Sequence, residues 1–249
     1  DWSSDVCSSD LAPRQCQRFF LGLMTRLGVL SLWNGHFPSR SAPCLTNSTP
    51  RARASASALV EPIASKAASL KPAAEALHGL DTLAIDLQDV GTRYYTFQAT
   101  MLYCLEACAE SGVAVVVLDR PNPIGRPVEG TMLRPGWESF VGAAPIPMRH
   151  GLTLGELGAW FIQHYKLDLE YRVIGMAEWT ADQAPGFGWP LESRCWINPS
   201  PNAPNLSMAR AYAGTVMLEG TTLSEGRGTT RPLEIFGAPN LDAQAIIRE

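Results

Sequence analysis

The sequence lacks the marks of several large functional classes. Charge is sparse and nearly balanced, with 18% charged residues and a formal net charge of −4, so no basic field exists to attract nucleic acid. No apolar run is long enough to span a bilayer. The nearest, residues 19–33, is broken by Arg26 and by glycines. No glycine-rich phosphate fingerprint follows a strand, which argues against a dinucleotide site. The 6 cysteines form neither a disulfide framework nor zinc spacing. Cys104 and Cys108 lie one helical turn apart in an apolar pattern and read as buried thiols.

What is present is the composition of a globular protein. The 249 residues are 46% apolar, enough for one large domain or two small ones with an ordinary core. Composition changes near Ser69: before it Ser, Ala, Arg and Pro dominate without lasting periodicity. Residues 1–11 read like one frame of a short-read sequencing adapter and are set aside as an artefact. Residues 12–68 are suspect, either frameshifted or disordered.

Beyond that point the pattern is clear. Residues 82–87 form a short apolar run expected to be a buried strand, followed by a turn signal at Gln88, Asp89, Val90 and Gly91. Phe97, Met101, Leu102, Leu105, Cys108 and Ala109 recur at helical spacing, and Gly112 stands where a C-cap belongs. Residues 113–118 are a second buried strand. Strand, helix, strand in forty-odd residues predicts a crossover in a parallel sheet. Parallel strands share one carboxyl edge, where open α/β sheets bind ligands. The first strand brings Asp86, Gln88, Asp89 and Arg93 to that edge; the second brings Asp119, Arg120, Asn122 and Glu129. Pro121 and Pro123 hold this second tail extended.

Further on, Thr153 and Glu156 form a capping box for a helix with a buried stripe of Leu154, Leu157, Phe161 and Tyr165, so Glu156 reads as a cap. His150, in the loop before it, suits either a ligand contact or a structural role. Residues 169–174 alternate like a strand. Trp179, Trp189 and Trp196 follow among prolines and glycines, as sugar platforms or core anchors. Residues 198–205 make a rigid polar loop containing Asn202, and residues 216–218 are expected to end a short strand. The densest polar cluster, residues 219–232, holds Glu219, Glu225, Arg227, Thr229 and Arg231. Its glutamates suit acid–base work and its arginines suit a carboxylate.

Five ordered strings together resemble the NamZ-type exo-β-N-acetylmuramidase family: residues 86–96, 118–123, 149–157, 199–202 and 219–232. The resemblance covers residues 69–242. It implies a Rossmann-like amino-terminal domain of parallel sheet and flanking helices, here residues 69–236 and partial. A smaller carboxyl-terminal domain would begin at residues 237–249. It further implies release of N-acetylmuramic acid from the non-reducing ends of peptidoglycan fragments, outside the cytoplasmic membrane in the periplasm or as a secreted protein. Glycoside hydrolysis requires an acid and an opposing group, unless the substrate's own acetamido oxygen serves as nucleophile. The carboxylates available are Glu225, Glu219, Asp119 and Asp89. Arg93, Arg120, Arg227 and Arg231 are available for the lactyl carboxylate, with Tyr95, Asn122, His150, Asn202 and Thr229 as further substrate contacts. The scheme needs no metal or organic cofactor.

The family's early Pro-Glu-His-Gly segment has no counterpart in residues 12–68. A one-nucleotide shift of the codons for residues 50–57 permits a string similar to one the family carries there. The chain is therefore expected to be incomplete at both ends and nearly inactive. Two other classes stay open: a non-catalytic carbohydrate-binding protein, and a Mg²⁺ enzyme built on Asp86, Asp89 and Asp119.

Overall fold

The computed structural model describes residues 27–31, 71–177, 188–189 and 195–248. In chain order the elements are β1 (Leu27–Ser31), α1 (Ala74–Leu77), β2 (Thr82–Asp86), α2 (Phe97–Ser111), β3 (Ala114–Leu118), β4 (Glu129–Met132), β5 (Pro147–Arg149), α3 (Leu154–Tyr165), β6 (Tyr171–Ile174), α4 (Leu206–Thr215), a 3₁₀ turn (Val216–Gly220) and α5 (Ala243–Arg248). Strands β1, β2, β3 and β6 form one sheet in that order, every neighbouring pair parallel. The architecture is the α/β parallel sheet with flanking helices that the periodicity predicts. Its β2–α2–β3 unit lies within one or two residues of the expected bounds.

Burial explains why the two central strands are unbroken apolar runs. Leu83, Ile85, Val115 and Val117 are buried with Met101, Leu102, Leu105 and Cys108 of α2 and Leu157 and Phe161 of α3. Cys104 and Cys108 are the expected buried thiols, and burial pushes Cys108 up to about 12. Helix α2 stops at Gly112, whose φ of 67° is left-handed and favours glycine. Helix α3 starts on the expected capping box, with Thr153 accepting from the Glu156 N–H and Glu156 reaching back to the Thr153 N–H. A second cluster, Val90, Ile124, Ala203, Met208, Ala209, Tyr212 and Leu233, joins the loops after β2 and β3 to α4. Tyr95 packs against both clusters.

Several elements differ from expectation. Residues 216–218 are not a strand: Thr215 and Val216 keep right-handed helical backbone, and the chain winds on from α4 as a 3₁₀ turn. The Thr215 hydroxyl donates to the carbonyls of Ala211 and Leu233, which anchors that junction. Glu129 does not lie at the sheet edge. It stands exposed on β4, pairs with Arg149 of β5 at 2.5 Å, and belongs to a separate antiparallel pair of strands. Strand β1 lies in a stretch with no expected element; its five residues are defined by pairing with β2 rather than by a pattern of their own. Helix α4, also unexpected, begins where Asn205 of the polar loop accepts from the Met208 N–H at 2.7 Å.

Candidate functional site

Strands β2 and β3 run in register, Leu83 opposite Val115 and Ile85 opposite Val117, so their tails leave the sheet at one edge. Two contacts tie the tails together. Arg120 Nε donates to Asp86 Oδ1 at 2.7 Å, and Gln88 Nε2 donates to the Pro121 carbonyl at 3.1 Å. The edge expected from sequence is therefore one continuous surface of two loops.

Asp89 and His150 form its buried centre. His150 Nε2 lies 3.2 Å from Asp89 Oδ2, with both side chains almost wholly enclosed. The same oxygen accepts the Gly91 N–H at 2.6 Å. On the far side of the ring, His150 Nδ1 accepts the Leu152 N–H at 3.2 Å. Accepting at Nδ1 leaves the ring proton on Nε2, aimed at the carboxylate. Gly91 makes this turn possible: its φ is 85°, and a Cβ there would run into Asn122 Oδ1 and Ile124 Cγ1. Buried Asn122 closes the knot, donating to the Leu152 carbonyl and accepting from the Ile124 N–H.

Asp119 occupies the same edge with different partners. Its oxygens accept the Thr153 hydroxyl at 2.6 Å, the Gly155 N–H at 2.9 Å and the Arg120 N–H at 3.0 Å. It thus sits on the N-terminus of α3, where a carboxylate is favoured. Burial pushes the Asp119 carboxyl up, against the pull of these hydrogen bonds. Glu156 is gripped by Arg126 through two contacts of 2.7 Å.

The loop after the 3₁₀ turn carries the second polar group. Arg227 lies between two carboxylates, with Nε 2.6 Å from Glu225 Oε1 and Nη2 on Glu219 Oε1. Burial works against the Arg227 cation, but the hydrogen bond and charge of Glu219 and the charge of Glu225 outweigh it and hold the group above its ordinary value. Glu225 is the more enclosed acid, with 15% of its side chain exposed against 38% for Glu219. Tyrosines link α4 to the sheet edge. Tyr212 of α4 meets Tyr94 and Tyr95 edge-on, with ring centroids 5.5 and 6.2 Å away. Burial raises the Tyr212 hydroxyl, and the charges of Glu219 and Asp89 add to the effect. Burial, then the charge of Asp89, raises Tyr95. Tyr94, pushed up to about 12 by burial, donates to the Ala213 carbonyl.

The remaining expected contacts are distributed more widely. Arg93 donates to the carbonyls of Thr131 and Ile146, both at 2.7 Å, which clips the β4–β5 arm to the edge loop. Arg231 is mostly exposed and lies 3.4 Å from Glu234. Thr229 closes a local turn on the Gly226 carbonyl at 2.6 Å. Asn202 is half-buried in the turn ahead of α4. Trp189 and Trp196 pack edge-on at 5.0 Å, and Trp196 donates to the Ala203 carbonyl, so these two anchor the loop; Trp179 lies outside the described residues. Among the described residues no group of three His, Cys, Asp or Glu is placed to hold a metal. Asp86, Asp89 and Asp119 each face separate partners. Tyr212 was not foreseen: it lies in a helix whose sequence shows no motif, and only packing brings it to the edge.

Comparison with known proteins agrees with these motifs. Residues 62–207 match the family described as exo-beta-N-acetylmuramidase NamZ, N-terminal, and residues 210–249 match its C-terminal counterpart. A curated relative, peptidoglycan beta-N-acetylmuramidase NamZ of Bacillus subtilis (strain 168), is 44% identical over 170 residues, covering 68% of this chain and 40% of that protein. Two crystal structures of DUF1343 family proteins from Bacteroides fragilis are similar. One has TM-score 0.65 at 33% identity, covering 74% of this chain and 49% of that one; the other has TM-score 0.61 at 37% identity, covering 70% and 48%. The chain spans less than half the length of each of these relatives. The sheet-edge motifs and these matches lead to one assignment: the chain belongs to the exo-β-N-acetylmuramidase NamZ family.

Proposed function

We propose that this chain carries the sugar-binding edge of an exo-acting β-N-acetylmuramidase. That enzyme is a glycoside hydrolase releasing N-acetylmuramic acid from the non-reducing ends of peptidoglycan fragments, in the periplasm or outside the cell. The observation that carries the reading is Arg227, held between Glu219 and Glu225 in one loop. Muramic acid differs from glucosamine by a lactyl carboxylate, and an arginine fork is the side chain best shaped to bind it. Arg227 is assigned that role because it stands in one loop with Glu219 and Glu225, the two acids nearest to it. A substrate carboxylate arriving at Arg227 would release one of its two glutamates. Glu225, the more enclosed, is then the acid placed near the leaving oxygen.

Calorimetry on this chain tests the reading with a methyl β-glycoside of N-acetylmuramic acid and its N-acetylglucosamine counterpart. The muramic ligand is expected to bind more tightly. Arg227→Gln is expected to weaken it by about ten- to a hundredfold, the range of a charge-assisted contact, and to leave the glucosamine ligand nearly unchanged. Equal losses on both ligands would remove Arg227 from the scheme. Hydrolysis is read separately as nitrophenol release from a chromogenic muramide. Turnover of this chain is expected to be low, because residues 12–68 hold no Pro-Glu-His-Gly segment. Selective binding without any turnover in a chain supplied with that segment would favour the carbohydrate-binding alternative.

A further inference from the structure

Ion pairs at the sheet edge differ in how much of their bonding capacity they use. Arg126 and Glu156 meet through two nitrogens and two oxygens, so that carboxylate is fully gripped. Asp86 and Arg120 meet through a single bond, Arg120 Nε to Asp86 Oδ1 at 2.7 Å. Among the described residues, Asp86 Oδ2 and both Nη atoms of Arg120 meet no hydrogen-bond or ion-pair partner. These groups are reachable from outside: 26% of the Asp86 side chain and 35% of the Arg120 side chain are exposed. They are also held in place. Asp86 is the last residue of β2, out of phase with Leu83 and Ile85, which belong to the core shared with α2 and α3. It therefore stands at the carboxyl rim on the opposite face of the sheet. The Arg120 N–H donates to Asp119 Oδ1, and Asp119 is itself locked on the first turn of α3 by Thr153 and Gly155. Gln88 Nε2 donates to the Pro121 carbonyl and ties the two tails together.

We propose that Asp86 and Arg120 form the subsite for the 4-hydroxyl of the terminal sugar and thereby select non-reducing ends, the hydroxyl donating to Asp86 Oδ2 and accepting from an Arg120 Nη. This rests on the muramidase reading above. The chemistry is complementary: a hydroxyl is donor and acceptor at once, and a carboxylate oxygen beside a guanidinium offers the matching pair. In a β-linked N-acetylmuramic acid the first position carries the glycosidic bond, the second the acetamido group and the third the lactyl ether. Only the 4- and 6-hydroxyls remain for such a pair. The 4-hydroxyl is free only at a non-reducing end; within a glycan strand it is substituted and has no proton to give. A carboxylate oxygen covered by ligand but left without a donor costs affinity, so a subsite built on Asp86 works against interior residues. The loop of Arg227 is fastened to the same rim. The Leu233 N–H donates to the Glu225 carbonyl at 2.6 Å, and Leu233 packs with Val90 and Ile124 of the loops after β2 and β3. The lactyl group and the 4-hydroxyl are neighbours on the sugar ring, and the loops assigned to them are neighbours at the sheet edge.

The test is calorimetry on the whole chain with the methyl β-glycoside of N-acetylmuramic acid and its 4-deoxy counterpart. Wild type is expected to bind the parent sugar about five- to tenfold more tightly. Asp86→Ala and Arg120→Ala are each expected to erase that preference, weakening the parent to the level of the 4-deoxy ligand and leaving the 4-deoxy ligand nearly unchanged. Both variants are expected to unfold in urea near the wild-type midpoint, because a partly exposed ion pair contributes little to stability, so either one reads binding in a folded chain. The 4-O-methyl ether, which mimics an interior residue, is expected to bind wild type no better than the 4-deoxy ligand; tighter binding of the ether would overturn the selection of chain ends. A folded variant that keeps the wild-type preference, or loses both ligands equally, would overturn the assignment. Wild type that binds the parent and the 4-deoxy sugar equally would overturn it while leaving the muramidase reading intact. Wild type that binds neither would overturn both.

Discussion

Single side chains at the sheet edge divide into those that build it and those left with unused bonding capacity. Asp119, Glu156, Arg126 and Thr153 build: they satisfy the first turn of α3 and one another. Their electrostatics make a pH prediction. Burial disfavours the Glu156 carboxylate, but the Arg126 fork and the Thr153 N–H outweigh it, so the carboxyl lies below its ordinary 4.5 in the folded chain. A group depressed by folding stabilises the protein above its unfolded value, and that contribution is lost as the pH falls through the folded value. Glu156→Gln keeps a capping side chain but removes the titration. Urea midpoints measured from neutral pH downward are expected to fall more steeply for wild type than for the variant. Parallel acid limbs would show that the Arg126 pair contributes nothing to stability.

Elements matter here chiefly through the turns that end them. The loop after β2 doubles back sharply enough to place Asp89 under His150, and Gly91 permits this with a φ of 85° in contact with Asn122. Gly91→Ala is expected to cost at least about 2 kcal/mol, from the left-handed backbone and the collision with Asn122 together. Denaturant unfolding measures this; a cost under about 0.5 kcal/mol would mean that the turn relaxes without Asn122. The same element shows why a Gly beside Asp89 in the string Asp89, Val90, Gly91 reads as a turn from sequence while its use does not. A positive φ is written in the residue type, but the asparagine that packs over it comes from a different loop.

At the scale of the whole molecule, stability should follow the sheet's centre. Strands β2 and β3 have no exposed residue, whereas β6 exposes Arg172 and Val173 at its edge. Hydrogen exchange is expected to be slowest in peptides spanning β2, β3 and α2, and faster in β6 and in the β4–β5 arm. Equal protection in β6 and β3 would contradict this order. The sequence alone determined the β2–α2–β3 unit, the capping box of α3 and the family, because short apolar runs, helical periodicity and contiguous motifs are local properties. It also brought Asp89 and Asp119 to one edge, since parallel strands allow nothing else. It did not reveal β1, which is defined by pairing with β2, or the helical course of residues 216–220, which continues α4. Only tertiary structure decided which polar residues are used up. Asp119 and Asp89 look alike in sequence, yet one meets a helix N-terminus and the other keeps an oxygen unpaired, because their partners arrive from segments dozens of residues away.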